Sequence, residues 1–173
     1  MRLTLTICAV LLASTAIAQH RHGQHAAPYA GFQSREIKAL SAQEIADLRA
    51  GRGMGLALAA ELNSYPGPMH VLEHADALRL TAQQRQTMEA LMATMRRDAI
   101  AAGEALISAE AALDRLFATA SIDDAQLASQ IRSVALAQGE VRRIHLATHI
   151  RTRAALTPEQ IAQYNRLRGY TRH

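Results

Sequence analysis

Tryptophan is absent from this chain of 173 residues, phenylalanine occurs twice and tyrosine four times. So few rings leave no aromatic platform on which single-stranded nucleic acid could stack. The net charge of +4 is small and mixed rather than gathered in a basic stripe. Nucleic acid is therefore not an expected partner. Lysine occurs only at Lys38, and the other cations are arginines. The one cysteine, Cys8, lies in the first apolar run of the chain. With no cysteine after it, disulfides and thiol chemistry are excluded from the remainder. No β-alternating run of useful length is present, which argues against a sheet. Nor is there a glycine-rich phosphate loop: Gly51-Arg52-Gly53-Met54-Gly55 reads as a helix stop and turn.

What is present begins with MRLTLTICAVLLASTAIAQ. Arg2 gives a short positive start, Leu3 to Ala13 an apolar run, and Ala16-Ile17-Ala18 a small-residue cleavage signal. Residues 1–18 read as a secretory signal peptide, short and wrongly flanked for a membrane span, with an uncleaved membrane anchor as the alternative. Cleavage would leave a protein starting at Gln19, with no stable membrane insertion. Intact-mass measurement of the secreted form checks this start. Residues 19–33, with His20, His22 and His25, have no periodicity and read as a flexible, histidine-bearing tail.

From there the sequence reads as helices. Ser41 and Glu44 form a capping box for a short helix that Gly51 stops. A second short helix is expected from about Leu56 to Leu62. The prolines and glycine of Tyr65-Pro66-Gly67-Pro68 make a turn. A helix is then expected over Met69–Leu78. Thr81 with Gln84 opens a long helix through a second capping box. Met88, Met92, Met95, Ala99, Ala102, Leu106, Ala109, Leu113 and Leu116 alternate four and three apart along it, a heptad seam. Ser121 with Asp124 reads as the next cap. The following helix carries Leu127, Ile131, Val134, Gln138, Val141 and His145 at the same alternation. Thr157, Pro158 and Gln160 start a last helix. The fold class is all-α, a long antiparallel helical hairpin with short flanking helices. Short helices and a turn occupy residues 34–68, and the hairpin domain residues 69–168.

Two histidine pairs, His70 with His74 and His145 with His149, each precede a Leu-Thr-x-x-Gln phrase: Leu80-Thr81-Ala82-Gln83-Gln84 and Leu156-Thr157-Pro158-Glu159-Gln160. Residues four apart on a helix have Cβ atoms about 5–6 Å apart, so two imidazoles can meet one ion. Neutral imidazole suits zinc, copper, nickel and cobalt, and methionine favours the softer end. If the hairpin turns near residue 120, Met92 lies level with Thr148 and Met95 with His145. His70, Met92 and His149 then share one layer. The other reading is structural: His145 lies on the heptad seam and can be a packed residue, and Met88, Met92 and Met95 can be core. His70-x-x-Glu73-His74 also spells an inverted zinc-protease motif, but the enzymes that use it are large α/β proteins, so an enzyme is not expected. Arg142, Arg143, Arg151 and Arg153 make the late helix basic. They read as a solvated face or as an edge for unfolded clients.

The two phrases "LTAQQ" and "LTPEQ" resemble the repeated LTxxQ motif of the Spy/CpxP family of periplasmic proteins, with its ZraP-like and CnrX-like members. The likeness covers about residues 69–168. It implies a periplasmic helical hairpin paired as a homodimer, with roles in heavy-metal resistance or sensing, stress signalling or ATP-independent chaperoning. Similarity to CnrX-like sensors implies metal ligands at His70, His74, His145 and His149, with histidine where those sensors have methionine. It sets Met92 near the family's helix carboxylate. Motif residues are Leu80, Thr81, Gln84, Leu156, Thr157 and Gln160. Implied partners are a second copy, a membrane sensor or unfolded clients. The first functional expectation is a periplasmic metal-binding resistance or sensing accessory using zinc or copper, with nickel or cobalt open. The alternative is a chaperone with structural histidines.

Overall fold

A computed structural model describes residues 27–170. The signal peptide, Cys8, the start at Gln19 and the tail histidines His20, His22 and His25 lie outside the described residues. The chain divides into two units, Met1–Ala30 and Gly31–His173. Of the first, residues 27–30 form one turn, closed by the Ala30 N–H on the Ala27 carbonyl at 2.8 Å.

The second unit is all-helical. Among the described residues there are six α-helices and no strand: α1 Ala42–Arg49, α2 Leu58–Glu61, α3 Pro68–Glu73, α4 Ala82–Ala118, α5 Asp124–Ala154 and α6 Pro158–Leu167. Helices α4 and α5 form the long antiparallel hairpin, and α1, α2 and α3 pack on it. No helix of the described residues is long and apolar enough to cross a membrane.

The caps explain most boundaries. Ser41 with Glu44, Thr81 with Gln84 and Thr157 with Gln160 each form complete capping boxes. At the hairpin tip the cap is Asp123 with Gln126, not Ser121 with Asp124. The Ser121 hydroxyl pairs instead with Thr119 Oγ1 at 2.7 Å. Helix α3 is also shorter than expected, ending at Glu73. The chain must reverse into α4 within a few residues. It does so with Arg79 at φ 50° and the Leu80 N–H reaching back to the Ala75 carbonyl at 3.0 Å.

Two apolar clusters hold the hairpin. One gathers Ile37, Ile45 and Leu48 against Ala99, Ala102, Leu106, Ile107, Val141 and Ile144 at mid-length. The other, at the open end, gathers Val71, Leu78, Leu80, Met88, Leu156 and Tyr164. The seam is therefore buried at Met88, Ala99, Ala102 and Leu106, but Met92 and Met95 are only half-buried. On α5, Val141 and His145 are buried while Ile131 is 47% exposed, a departure from the expected seam. At that level the face of α5 turned to α4 carries Gln130 and Val134, both half-buried, and Gln130 Nε2 donates to the Ala109 carbonyl at 2.8 Å.

The mid-length cluster depends on a glycine. A Cβ at Gly103 would lie 2.6 Å from the Leu48 carbonyl oxygen, which is backbone and cannot swing away. Alanine would favour the helix by about 1 kcal/mol, but pushing α1 off α4 costs about 1–3 kcal/mol. Gly139, on α5, has nothing within 4 Å of its Cβ position. Denaturant unfolding of the two variants should move in opposite directions: Gly103→Ala less stable, Gly139→Ala more stable by about 1 kcal/mol. Equal shifts would mean that α1 is not held at Gly103.

The two Leu-Thr-x-x-Gln phrases meet each other. Gln84 Nε2 donates to Gln160 Oε1 at 2.9 Å and Gln160 Nε2 donates to Gln84 Oε1 at 3.0 Å. Each amide also caps the other's approach: Gln84 Nε2 donates to the Ala155 carbonyl, and Gln160 Nε2 to the Leu78 carbonyl. Each Oε1 meanwhile accepts the N–H of its own threonine. This pattern fixes both amide orientations, since only Nε2 can serve a carbonyl. Leu80 and Leu156 are buried in the same cluster beneath the pair. The repeated motif is thus a reciprocal latch joining the starts of α4 and α6. Alanine at either glutamine should cost about 2 kcal/mol, and the double variant clearly less than the sum, a coupling of about 1 kcal/mol. Strict additivity in denaturant unfolding would show that the two amides do not act together.

Candidate metal-binding pocket

Between the two apolar clusters the hairpin is open to a pocket of about 620 Å³. Its floor comes from α4 and α5, with Met92, Met95, His145 and His149. Its other walls come from the segment Gly51–Glu61 and from the start of α3, with Met54, Glu61, Gly67, Met69 and His70. Residues 34–68, for which sequence supplied short helices but no role, thus provide half the site.

His149 is held from its Nδ1 side. That atom lies 2.7 Å from the Tyr65 carbonyl, which can only accept, so Nδ1 carries the proton. In the neutral ring, this tautomer leaves the Nε2 lone pair available. The turn Tyr65-Pro66-Gly67-Pro68 makes this possible, because a Cβ at residue 67 would lie 3.1 Å from His149 Nε2. Glycine there leaves room at the free nitrogen.

His145 is 3% exposed, and its Nε2 is buried with no hydrogen-bond partner. Burial, helped by the nearby His149, pushes its pKa below the ordinary histidine value. The ring is therefore neutral at pH 7, with a nitrogen that nothing in the protein satisfies. Such an orphan costs about 1–3 kcal/mol unless something binds it.

His70, half-buried, has Nδ1 2.8 Å from Glu73 Oε2. That contact leaves Nε2 free in the same way. Carboxylate-to-imidazole contacts of this kind orient metal-bound histidines. The Glu73 of the His-x-x-Glu-His sequence thus serves His70. His74 does not line the pocket; it forms the C-cap of α3 after the helix has ended. The structure accordingly brings His70, His145, His149 and Met92 to one pocket and leaves His74 outside it.

One wall of the pocket carries a group that the sequence did not point to. Glu61 is 7% exposed and accepts from the Tyr164 hydroxyl and from the Gly67 N–H at 3.1 Å. His149 Nδ1 is 3.6 Å from its Oε2, and Arg168 Nε is 3.7 Å from its Oε1. Burial first, and then the bond to Glu61, push the Tyr164 pKa far up, so the phenol stays a donor. Glu61 thereby ties α2, α6 and the turn that holds His149. The only signal for it in the sequence is a lone carboxylate inside the small-residue apolar stretch Leu56–Leu62.

Among the described residues no three His, Cys, Asp or Glu side chains stand together as a ready metal site. The pocket does offer free imidazole nitrogens, one of them orphaned, and several thioethers. That donor set fits a borderline or soft transition-metal ion and does not fit magnesium or calcium, which need oxygen.

The comparisons with known proteins agree with this chemistry. A family model described as heavy-metal resistance matches residues 54–163, which include all but the first few residues of the pocket. No curated protein and no solved structure matches the chain.

Proposed function

Since the chain belongs to the heavy-metal resistance family, we propose that it binds a transition-metal ion in this pocket as a periplasmic resistance or sensing accessory. The family is not an enzyme family and is typically extracytoplasmic. The observation that carries the reading is the buried, unpartnered Nε2 of His145, one helical turn from His149, whose own Nε2 is kept free. His145 and His149 hold the ion in this reading, His70 assists, and Met92 lies alongside. Zinc and copper suit imidazole best, with nickel and cobalt also accommodated.

Calorimetric titration with these four ions tests it, on protein in which His20, His22 and His25 are replaced by alanine. Binding at one ion per chain in the micromolar range or tighter is expected. Nothing tighter than about millimolar would overturn it and leave the histidines structural, as the chaperone reading has them.

The working form in this proposal is a homodimer. Phe117, Ile131 and Leu136 are 57%, 47% and 75% exposed on the outer half of the hairpin, apolar surface that a second copy would cover. Light scattering at micromolar concentration should give twice the chain mass; a monomer would overturn the dimer.

A further inference from the structure

The pocket's other donors are sulfur. Four of the chain's six methionines line it: Met54 from the loop after α1, Met69 from α3, and Met92 and Met95 from α4. Core packing accounts for Met88, which is fully buried, but not for the two at the rim. Met54 is 42% exposed and Met69 50% exposed. Met54 moreover sits at φ 44°, a left-handed conformation that is uncommon for a bulky side chain. A strained, exposed methionine beside a pocket is poorly explained as filler.

Charge points the same way. The one carboxylate lining the pocket is Glu61, and it is already engaged by the Tyr164 hydroxyl, the Gly67 N–H and nearby Arg168. Arg52 and Arg96 also line the pocket, Arg52 paired with Asp47 outside it. A divalent ion would enter with no free carboxylate to offset its charge. A monovalent ion would meet half that opposition. Thioethers are uncharged soft donors that bind Cu(I) and Ag(I) and add little for zinc, nickel or cobalt.

We propose that the pocket selects a monovalent soft ion, Cu(I) or Ag(I), held in a coordination of up to four by the His145 and His149 imidazoles and the thioethers of Met54 and Met69, with Met92 and Met95 lining the floor below. This rests on the metal-binding reading above and specifies its ion class. Met54 and Met69 act as the closing ligands, on a loop and a short helix that fold over the hairpin floor.

The test compares Ag(I), which needs no reductant, with Zn(II) on the protein carrying the three tail-histidine replacements. A second protein adds Met54→Leu and Met69→Leu. Both positions are exposed, so the helical signal and unfolding midpoint should match the parent. Ag(I) should bind at least a hundredfold more tightly than Zn(II). The double replacement should weaken Ag(I) at least tenfold and leave Zn(II) within twofold. The methionine methyl resonances of Met54 and Met69 should shift on Ag(I) addition. Zinc binding as tight as silver, or silver binding unchanged by the double replacement, would overturn the soft-ion proposal while leaving a metal site. Absence of binding by every ion would overturn the metal reading itself.

Discussion

Glu61→Ala should destabilise the protein by about 3–5 kcal/mol, the cost of breaking a buried charged cluster by removing one partner. The substitution leaves the Tyr164 hydroxyl, on a residue that is fully buried, with no acceptor. It also frees the Gly67 N–H and strips Arg168 of its nearest carboxylate. For a domain of this size each kcal/mol lowers the midpoint by about 2–4 °C, so a drop of roughly 10 °C or more is expected in thermal unfolding. Tyr164→Phe removes only one donor and should cost about 1–2 kcal/mol. Glu61→Gln keeps one oxygen but points an amide N–H at a donor, so it should fall between the two. The consequence extends to the site, because the Gly67 bond to Glu61 steadies the turn whose Tyr65 carbonyl holds His149. Metal affinity should fall with stability across the series. A Glu61→Ala protein within 1 kcal/mol of the parent would mean that solvent reaches the cluster and the carboxylate is not its centre.

What the sequence made legible was local. The threonine caps, Gly51 and the proline turn act through a few neighbouring residues, and there the expected helices were found. The hairpin register was equally accessible, because two long helices joined by a short turn have little choice. Gln84 bonds the Ala155 carbonyl and Gln130 the Ala109 carbonyl, both in the register expected from a turn near residue 120. At the tip the chain caps α5 with Asp123 and Gln126 rather than with Ser121 and Asp124, and the Ser121 hydroxyl meets Thr119 Oγ1 instead. Heptad spacing failed at Ile131 because the face of α5 turned to α4 runs through Gln130 and Val134 instead, and an apolar pattern does not pick out a polar Gln130. The meeting of the two Leu-Thr-x-x-Gln phrases was beyond reach for a similar reason. Capping explained each copy alone, and only tertiary folding joins Gln84 to Gln160. The pocket was half legible. Histidine spacing and level pointed to His70, Met92 and His149, but Met54, Glu61, Gly67 and Met69 come from short helices and turns whose packing onto the hairpin no local pattern reveals. His74 fell away because α3 stops one residue before it, so the four-residue spacing no longer places both rings on one helix face.

His145→Leu should stabilise the metal-free protein while removing at least a hundredfold in metal affinity. Leucine keeps the apolar volume among the buried groups around Ile144 and removes the nitrogen left without a partner, so the orphan's cost of about 1–3 kcal/mol is relieved. His149→Ala should lose affinity to a similar degree without that gain, since its ring already bonds the Tyr65 carbonyl. The pH dependence separates the two further. In the unfolded chain His145 titrates near the ordinary value of about 6.5. In the folded protein burial depresses it. Above about pH 6.5 the ring is neutral in both states and contributes no pH dependence. As pH falls below that, the unfolded chain takes up the proton first, so stability is lost down to the depressed folded pKa and then levels off. His145→Leu should flatten that decline, whereas His149→Ala should retain most of it, because burial is the larger cause of the His145 shift and His149 the smaller, a contrast that thermal unfolding at a series of pH values between about 7 and 4 would read. The same lowered pKa keeps His145 ready for a metal at pH values where free histidine is already protonated. A parent and a His145→Leu protein with identical acid profiles would show that this imidazole is not the buried neutral base of the pocket.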